Sequence, residues 1–295
     1  MRQGRMDGES EGVVPTGPLR RPAHWAREVV ALQGPRLQRL AMDLGLLRGE
    51  RDYTRFVLLG RSRTGSNFLR GLLTANRAVT LFGEVFKNPR AIEWGMQGLP
   101  QTGRALDLYQ TDPARFLGEY VYRAMPAHTK AVGFKLFYYH ARSGPLAAIW
   151  DHLREAREIR VIHIKRANIL RTHLSRARAE RSSRWVNLDG EHEDDAPIRL
   201  DTAACREDFE RTRRWEEECE RFFEGHPLLD VYYESLAEAS PQESVRIQQF
   251  LGIPVEALTP QTHKQSRVPL VQAIENYAEL KSVFRGTSWE TFFEE

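Results

Sequence analysis

The chain has 295 residues, of which 41% are hydrophobic, enough to bury the core of one large α/β domain or two small ones. Its formal net charge of +3 is too small to indicate nucleic-acid binding, and no apolar run approaches the ~18 residues of a membrane-spanning helix. Cys205 and Cys219 lie in one predicted helix, ~21 Å apart, which excludes a disulfide and leaves no metal-ligand cluster. We therefore expect a soluble, cytoplasmic protein without a metal site.

The N-terminal region differs in composition from the rest of the chain. Residues 1–20 are rich in glycine, proline and charge, and we expect a disordered tail there. Residues 24–47 have an amphipathic pattern that predicts a helix before the core. The rest of the chain, 21–295, is expected to form a single domain.

From residue 55 onward, short apolar runs alternate with helical segments. Near-continuous apolar strands separated by helices are typical of a parallel sheet covered on both faces, so the predicted fold class is α/β. The predicted strands are 55–60, 79–83, 130–138, 159–166 and 228–234, and the predicted helices are 65–76, 145–155, 169–181, 201–223 and 241–252.

Residues 186–200 form an acidic, turn-rich insert between two predicted helices. Its carboxylates either gate a cleft or are simply solvated, and a solvated surface loop is the more common outcome for such a charge run.

The first predicted strand leads into a loop with the outline of an ATP phosphate loop. Gly60 and Gly65 have the G-x-x-x-x-G spacing, but Ser66 and Asn67 stand where a lysine and then a serine or threonine are required. That lysine neutralises the β- and γ-phosphates, and the hydroxyl after it binds Mg²⁺. The loop is therefore unsuited to phosphoryl transfer from ATP.

The same loop retains the features of a general anion site. Backbone N–H groups at a helix N-terminus bind anions, and Arg61 and Arg63 add positive charge. A second candidate lies at the end of another predicted strand, where Arg166 and Ser175 could hold a phosphate together. Because ligands of parallel sheets bind beyond the carboxyl ends of strands, the pair of sites suggests one ligand with two separated anionic groups. The alternative for the loop is a polar turn without a ligand.

Several motifs together resemble the bacterial carbohydrate sulfotransferases, which include the trehalose and nodulation-factor sulfotransferases. The resemblance spans about residues 53–292. It rests on R-x-G-S-x-F after the first strand, then FGE, GFK and R-x-N-x-L-R-x-x-x-S, and on the C-terminal run IENYAELKSVFRGT. Arg166 and Ser175 are nine residues apart, whereas many cytosolic sulfotransferases have eight.

The resemblance implies a P-loop-like sulfotransferase fold and 3′-phosphoadenosine 5′-phosphosulfate (PAPS) as co-substrate, without a metal. Arg63 takes the basic position beside the leaving phosphate and is a catalytic candidate. Arg166 and Ser175 are implied to hold the 3′-phosphate, and Phe68 either contacts the adenine or packs in the core. The residues implied to bind PAPS are Arg61, Ser62, Arg63, Thr64, Gly65, Ser66, Asn67, Arg166 and Ser175.

On the acceptor side, Glu84 in LFGE resembles the glutamate that acts as general base in trehalose-type relatives. Its alternative role is a strand-end carboxylate paired with a loop arginine. His140 is the second candidate base, although a lone histidine is more often structural. Lys135 needs an anionic partner, either PAPS or Glu84, unless its side chain reaches the surface. By family position, Lys264 and Arg267 could fold over the co-substrate.

The sequence therefore predicts a PAPS-dependent sulfotransferase acting on a hydroxyl of a sugar or glycolipid. The alternative is a non-catalytic nucleotide-binding module that uses the same two phosphate sites. Acceptor selection is expected to depend on residues 86–128 and 182–200, and a homodimer is compatible with the sequence.

Overall fold

The computed structural model describes residues 42, 48–182, 196–259 and 268–294. From Gly49 onward the described residues form one compact unit. The predicted tail over 1–20, nearly all of the predicted helix over 24–47 and residues 186–195 of the acidic insert lie outside the described residues.

Within the described residues, five parallel strands form a single sheet. The strands are β1 (Thr54–Gly60), β2 (Val79–Phe82), β3 (Ala131–Phe137), β4 (Arg160–Lys165) and β5 (Leu228–Tyr232). Their order is β2-β3-β1-β4-β5, so β1 lies at the centre. This arrangement confirms the predicted α/β class.

Helices connect the strands and cover both faces of the sheet. They are α1 (Ser66–Thr74), α2 (Arg104–Thr111), α3 (Pro113–Phe116), α4 (Ala148–Glu155), α5 (Ile169–Ser182), α6 (Thr202–Phe222), α7 (Tyr233–Glu238), α8 (Ser240–Leu251), α9 (Leu270–Ala273) and α10 (Tyr277–Phe284). A π-helical turn spans Leu117–Val121, and 3₁₀ turns span Pro145–Ala147 and Glu290–Phe293. No described helix combines the length and apolar character needed to cross a bilayer.

The central strand shows why these apolar runs form a two-faced core. Side chains alternate between the faces of a strand. Phe56 and Leu58 therefore pack in one cluster with apolar side chains of α1, α8 and the edge strand β5. Val57 and Leu59 pack in a second cluster, on the opposite face. A third cluster joins α5 and α6 to the C-terminal helices. Burial on both faces explains why β1 is apolar from Phe56 onward and why β3 is apolar except for Lys135.

Two predicted segments differ from the structure. The last strand ends at Tyr232, because Tyr233 and Glu234 begin helix α7, whose Leu236 is fully buried. The acidic insert was expected to be a surface loop throughout, but Ile198 and Leu200 are buried in the third cluster. Their apolar side chains gain more from packing than from exposure.

A glycine in β3 is required by its close contact with the neighbouring strand. A Cβ atom added at Gly133 would lie 2.7 Å from the fully buried ring of Phe56. Gly133→Ala should therefore lower the free energy of unfolding by about 1–3 kcal/mol, measured by urea denaturation. Gly118→Ala is the control, because no atom lies within 4 Å of the added Cβ. Equal effects of the two substitutions would contradict the proposed packing constraint.

Candidate active site

The candidate site lies along the carboxyl edge of the sheet. Parallel register pairs Gly60 at the end of β1 with Phe137 at the end of β3, so the residues that follow the strands meet at one edge. These residues are 61–65 in the loop after β1 together with Ser66 and Asn67 at the start of α1, Glu84 after β2, His140 after β3, Arg166 after β4 and Glu234 after β5.

The loop after β1 reaches helix α1 through a left-handed glycine. Gly65 has φ +88°, and a Cβ atom there would lie 2.2 Å from the ring of Tyr233. The Thr64 hydroxyl donates a hydrogen bond to the carbonyl oxygen of Arg61 at 2.8 Å, which closes the turn. The N-cap residue Gly65 makes no side-chain hydrogen bond to the first N–H groups of α1, and such N–H groups at a helix start can bind anions.

The side chain of Arg61 is buried and pairs with residues of helix α6. It is 2% exposed, its Nη2 lies 3.2 Å from Asp208 Oδ1, and its Nη1 donates to the Thr212 hydroxyl. A guanidinium held this way neutralises a buried carboxylate. Arg61 therefore does not add side-chain charge to the loop, contrary to the sequence-based expectation.

The two anion sites predicted from the sequence meet in space. Arg63 Nε donates a 2.9 Å hydrogen bond to the Ser175 hydroxyl of α5, and Arg166 Nη1 lies 3.3 Å from the carbonyl oxygen of Arg63. Arg63 adopts φ +69°, an uncommon conformation for a residue with a side chain. Residues from both predicted sites therefore form one continuous polar surface.

Arg166 is a largely buried cation of this surface, with 16% of its side chain exposed. It stacks on Tyr233 at 4.7 Å, and Glu234 Oε1 is 3.6 Å from its Nε, which makes no hydrogen bond. The pKa of Arg166 is lowered, chiefly by burial and further by the like charges of Arg171 and Arg63, although Glu234 opposes this. Arg63 and Arg171 are therefore close enough to Arg166 for their charges to interact, and an anionic ligand would reduce this repulsion.

The acceptor-side candidates form a second cluster next to the loop. Lys135 Nζ is 3.1 Å from Glu84 Oε1 and 2.7 Å from Asn67 Oδ1 at the start of α1. Lys135 is 3% exposed, and burial lowers its pKa while Glu84 opposes the shift. Lys87 Nζ lies 3.7 Å from the same carboxylate. Glu84 therefore pairs with lysines and not with a loop arginine, and Lys135 does not reach the surface.

His140 is held in a defined orientation beside Glu84. The Phe137 N–H donates to His140 Nδ1 at 3.3 Å, which assigns the proton of the neutral ring to Nε2. That Nε2 lies 3.9 Å from Glu84 Oε2. Burial lowers the pKa of His140 to about 4. The neutral ring can therefore donate a hydrogen bond toward the site, but neither nitrogen has a free lone pair for a proton from an acceptor.

Tyr139 was not anticipated from the sequence and lies between the two clusters. It is 41% exposed, and its hydroxyl oxygen accepts a 3.3 Å hydrogen bond from the Ser62 N–H of the loop. Its ring contacts those of His140 and Trp215. Tyr139 lies two residues after the end of β3, and this position is the sequence signal that could have indicated it.

Three further residues were predicted to lie near the co-substrate: Phe68, Lys264 and Arg267. Phe68 packs against the cluster on the α1 side of the sheet and meets the ring of Tyr233 edge-on, at 6.3 Å between centroids. Lys264 and Arg267 lie outside the described residues.

Comparison with known proteins identifies the family. Residues 56–257 match the sulfotransferase family. The chain belongs to the sulfotransferase family. The matched residues include the loop, Glu84, His140, Arg166 and Ser175. No curated protein matches the chain significantly.

Solved sulfotransferase structures show a distant similarity to this sulfotransferase. One from Alicyclobacillus acidocaldarius is 13% identical, with 78% of this chain and 91% of that chain covered and a TM-score of 0.44. The sulfotransferase domain of the Synechococcus PCC 7002 olefin synthase is 14% identical, with 84% and 96% covered and a TM-score of 0.40. A mouse sulfotransferase complexed with PAP is 15% identical, with 86% and 79% covered and a TM-score of 0.37.

The environment of His140 predicts a specific dependence of stability on pH. Its folded-state pKa of about 4 lies below the ordinary value of 6.5, so the unfolded chain takes up this proton first. At pH 7 His140 is neutral in both states, so its titration does not change the free energy of unfolding. As the pH drops from 6.5 toward 4, the free energy of unfolding should fall by at most about 3 kcal/mol because of this group. Unfolding of the wild type and of His140→Gln, compared at pH 7 and pH 5, measures the contribution. Parallel pH profiles of the two proteins would contradict it.

Proposed function

We propose that this sulfotransferase transfers the sulfuryl group of PAPS to a hydroxyl of a sugar or glycolipid. The observation that carries the proposal is the direct contact between Arg63 of the loop and Ser175 of α5, beside Arg166. A nucleotide with anionic groups on its 5′ and 3′ positions suits such a surface, and the loop lacks the lysine that ATP requires.

The residues at the edge of the sheet fit such a ligand. Arg166 Nε is buried and makes no hydrogen bond, so an anion would satisfy a donor that is otherwise costly. Gly65 has a left-handed backbone conformation immediately before α1, and backbone N–H groups at the start of a helix are a general binding site for anions. These features support the assignment of the loop to the 5′-phosphosulfate.

Each residue then has a role in binding. Residues 64–67 bind the 5′-phosphosulfate through backbone N–H groups and side chains, and Arg63 neutralises the phosphate that becomes the leaving group. Arg166 and Ser175 bind the 3′-phosphate. Phe68, which is half-buried close to the loop, is assigned to the adenine.

The chemistry proposed for the acceptor side is an in-line displacement. Glu84 accepts the proton of the acceptor hydroxyl as its oxygen forms a bond to sulfur, and the bond from sulfur to the phosphate oxygen breaks to release 3′,5′-ADP. Lys135 orients the Glu84 carboxylate and adds positive charge beside the start of α1, where the transferring group would lie. His140 donates a hydrogen bond and is not the base. The sulfuryl group carries less charge than a γ-phosphate, so the proposed reaction needs no metal.

The grouping of Glu84, Lys135 and His140 favours an enzyme over a non-catalytic nucleotide-binding module. A module that only binds nucleotide has no use for a carboxylate held next to the anion loop.

Ligand binding tests the donor. In EDTA, 3′,5′-ADP at 100 times its dissociation constant should stabilise the protein by about 2.7 kcal/mol, seen as a rise in melting temperature. ATP with Mg²⁺ at the same concentration should stabilise it far less, because the loop lacks the lysine and hydroxyl that hold the γ-phosphate and the metal. Stabilisation by 3′,5′-ADP that depends on Mg²⁺, or stronger stabilisation by ATP, would exclude the proposed donor. Labelled PAPS, screened against sugar and glycolipid acceptors, then identifies the acceptor.

The role of Glu84 is tested by Glu84→Gln, which keeps the shape of the side chain and an oxygen for Lys135 but cannot accept the proton. We expect kcat to fall by ~10²–10⁴-fold while the affinity for 3′,5′-ADP barely changes. The comparison variant is His140→Ala, for which a smaller loss of kcat is expected.

Two outcomes would refute the role of Glu84 as base. A kcat within a few-fold of wild type would show that no carboxylate is needed for the proton transfer. Loss of 3′,5′-ADP binding would show that Glu84 instead supports the loop, through Lys135 and Asn67.

A further inference from the structure

A buried carboxylate on α6 connects the two parts of the anion-binding surface. Asp208 is 1% exposed and contacts three guanidinium groups and one imidazole. The partners and distances are Arg61 Nη2 at 3.2 Å, Arg176 Nη2 at 2.8 Å, Arg211 Nη2 at 2.9 Å and His173 Nδ1 at 3.1 Å. Burial raises the pKa of Asp208, but its hydrogen bonds and the nearby arginine charges lower it to about 2. The carboxylate is therefore ionised under all ordinary conditions.

These partners come from the two elements that carry the anion-binding residues. Arg61 is the first residue of the loop, two positions before Arg63, and its backbone carbonyl accepts the hydrogen bond of Thr64. His173 and Arg176 lie on α5, on either side of Ser175. Asp208 thus contacts the loop and α5 at the same time, from a third element.

The relative position of loop and helix determines which ligands can contact both. A ligand with two anionic groups gains from both contacts only when their spacing matches its own, whereas a ligand with one anionic group needs only the loop. Arg63 and Ser175 are already within 2.9 Å of each other, so small shifts of α5 alter the spacing directly.

We propose that Asp208 is a positioning residue that fixes the spacing between the phosphate loop and helix α5, and thereby sets the preference for a nucleotide with both 3′- and 5′-phosphates over one with a 5′-phosphate alone. This inference rests on the proposed function. Asp208 acts through Arg61, His173 and Arg176 and does not touch the ligand itself.

The sign of the change in nucleotide preference distinguishes the positioning role of Asp208 from a simple effect of its charge. Removal of the negative charge of Asp208 makes the surface more positive, which favours the ligand with more phosphate charge. On charge alone, Asp208→Asn should therefore increase the preference for 3′,5′-ADP over 5′-AMP. Loss of the correct spacing has the opposite sign, since it weakens the second contact.

The experiment measures the dissociation constants of 3′,5′-ADP and 5′-AMP by calorimetry and compares their ratio between proteins. The wild type should prefer 3′,5′-ADP by about ten- to a hundredfold. Arg166→Ala, which removes a proposed direct contact, gives the largest expected loss of this preference. Asp208→Asn should lower the preference by at least about fivefold.

A second variant and a control address stability. Arg61→Lys keeps the positive charge but not the forked pairing with Asp208, and should lower the preference in the same direction if Asp208→Asn does not fold. Gln248→Ala removes buried hydrogen bonds to Asn76 and Glu256 at the amino edge of the sheet, and should destabilise the protein without changing the preference.

The outcomes distinguish the inference from the proposed function. A wild type that binds both nucleotides equally well would overturn the two-site function and the inference with it. A wild type that prefers 3′,5′-ADP, combined with an unchanged or increased preference in Asp208→Asn and Arg61→Lys, would overturn only the role of Asp208. An equal loss in Gln248→Ala would also overturn it, because destabilisation alone would then account for the effect.

Discussion

The parallel alignment of five strands constrains this molecule more than any single contact does. It brings the ends of all five strands to one edge of the sheet, so that side chains distant in sequence become neighbours. Arg63, Glu84, His140 and Arg166 each follow a different strand, and no local motif could assemble them. The surrounding core holds this edge in place, because β1 and β3 are buried on both faces and cannot shift without losing apolar contacts.

The site contains buried lysine and arginine side chains, whose loss of hydration is offset by carboxylate and amide partners. Lys135 is paired with Glu84 and Asn67, and Arg61 is paired with Asp208. Arg61 Nε and Arg166 Nε are both buried donors without a hydrogen bond. Breaking such pairs is costly, since the remaining charge is left uncompensated. The charges are therefore pre-organised: little reorganisation is needed when an anion binds, which is the condition for strong electrostatic stabilisation.

Local sequence patterns predicted the parts of the structure that depend on local rules. Apolar runs located the five strands of the described sheet, and the spacing of Gly60 and Gly65 indicated a loop leading into a helix. The direction of Arg61 could not be predicted, because its partner Asp208 lies 147 residues away in a helix where charged residues are common. Asp208 itself has no distinguishing sequence signal among those charges. Tyr139 was missed because the aromatic residues at the end of β3 look alike until the loop packs against one of them.

The most direct measurement of the central claim is the ³¹P NMR spectrum of 3′,5′-ADP titrated with the protein in EDTA. The nucleotide carries two phosphorus atoms, and the account assigns one to the loop and the other to Arg166 and Ser175. It predicts that both resonances shift and broaden together as the protein is added. A change confined to one resonance, with the other remaining at its free position, would contradict a surface built for two phosphates.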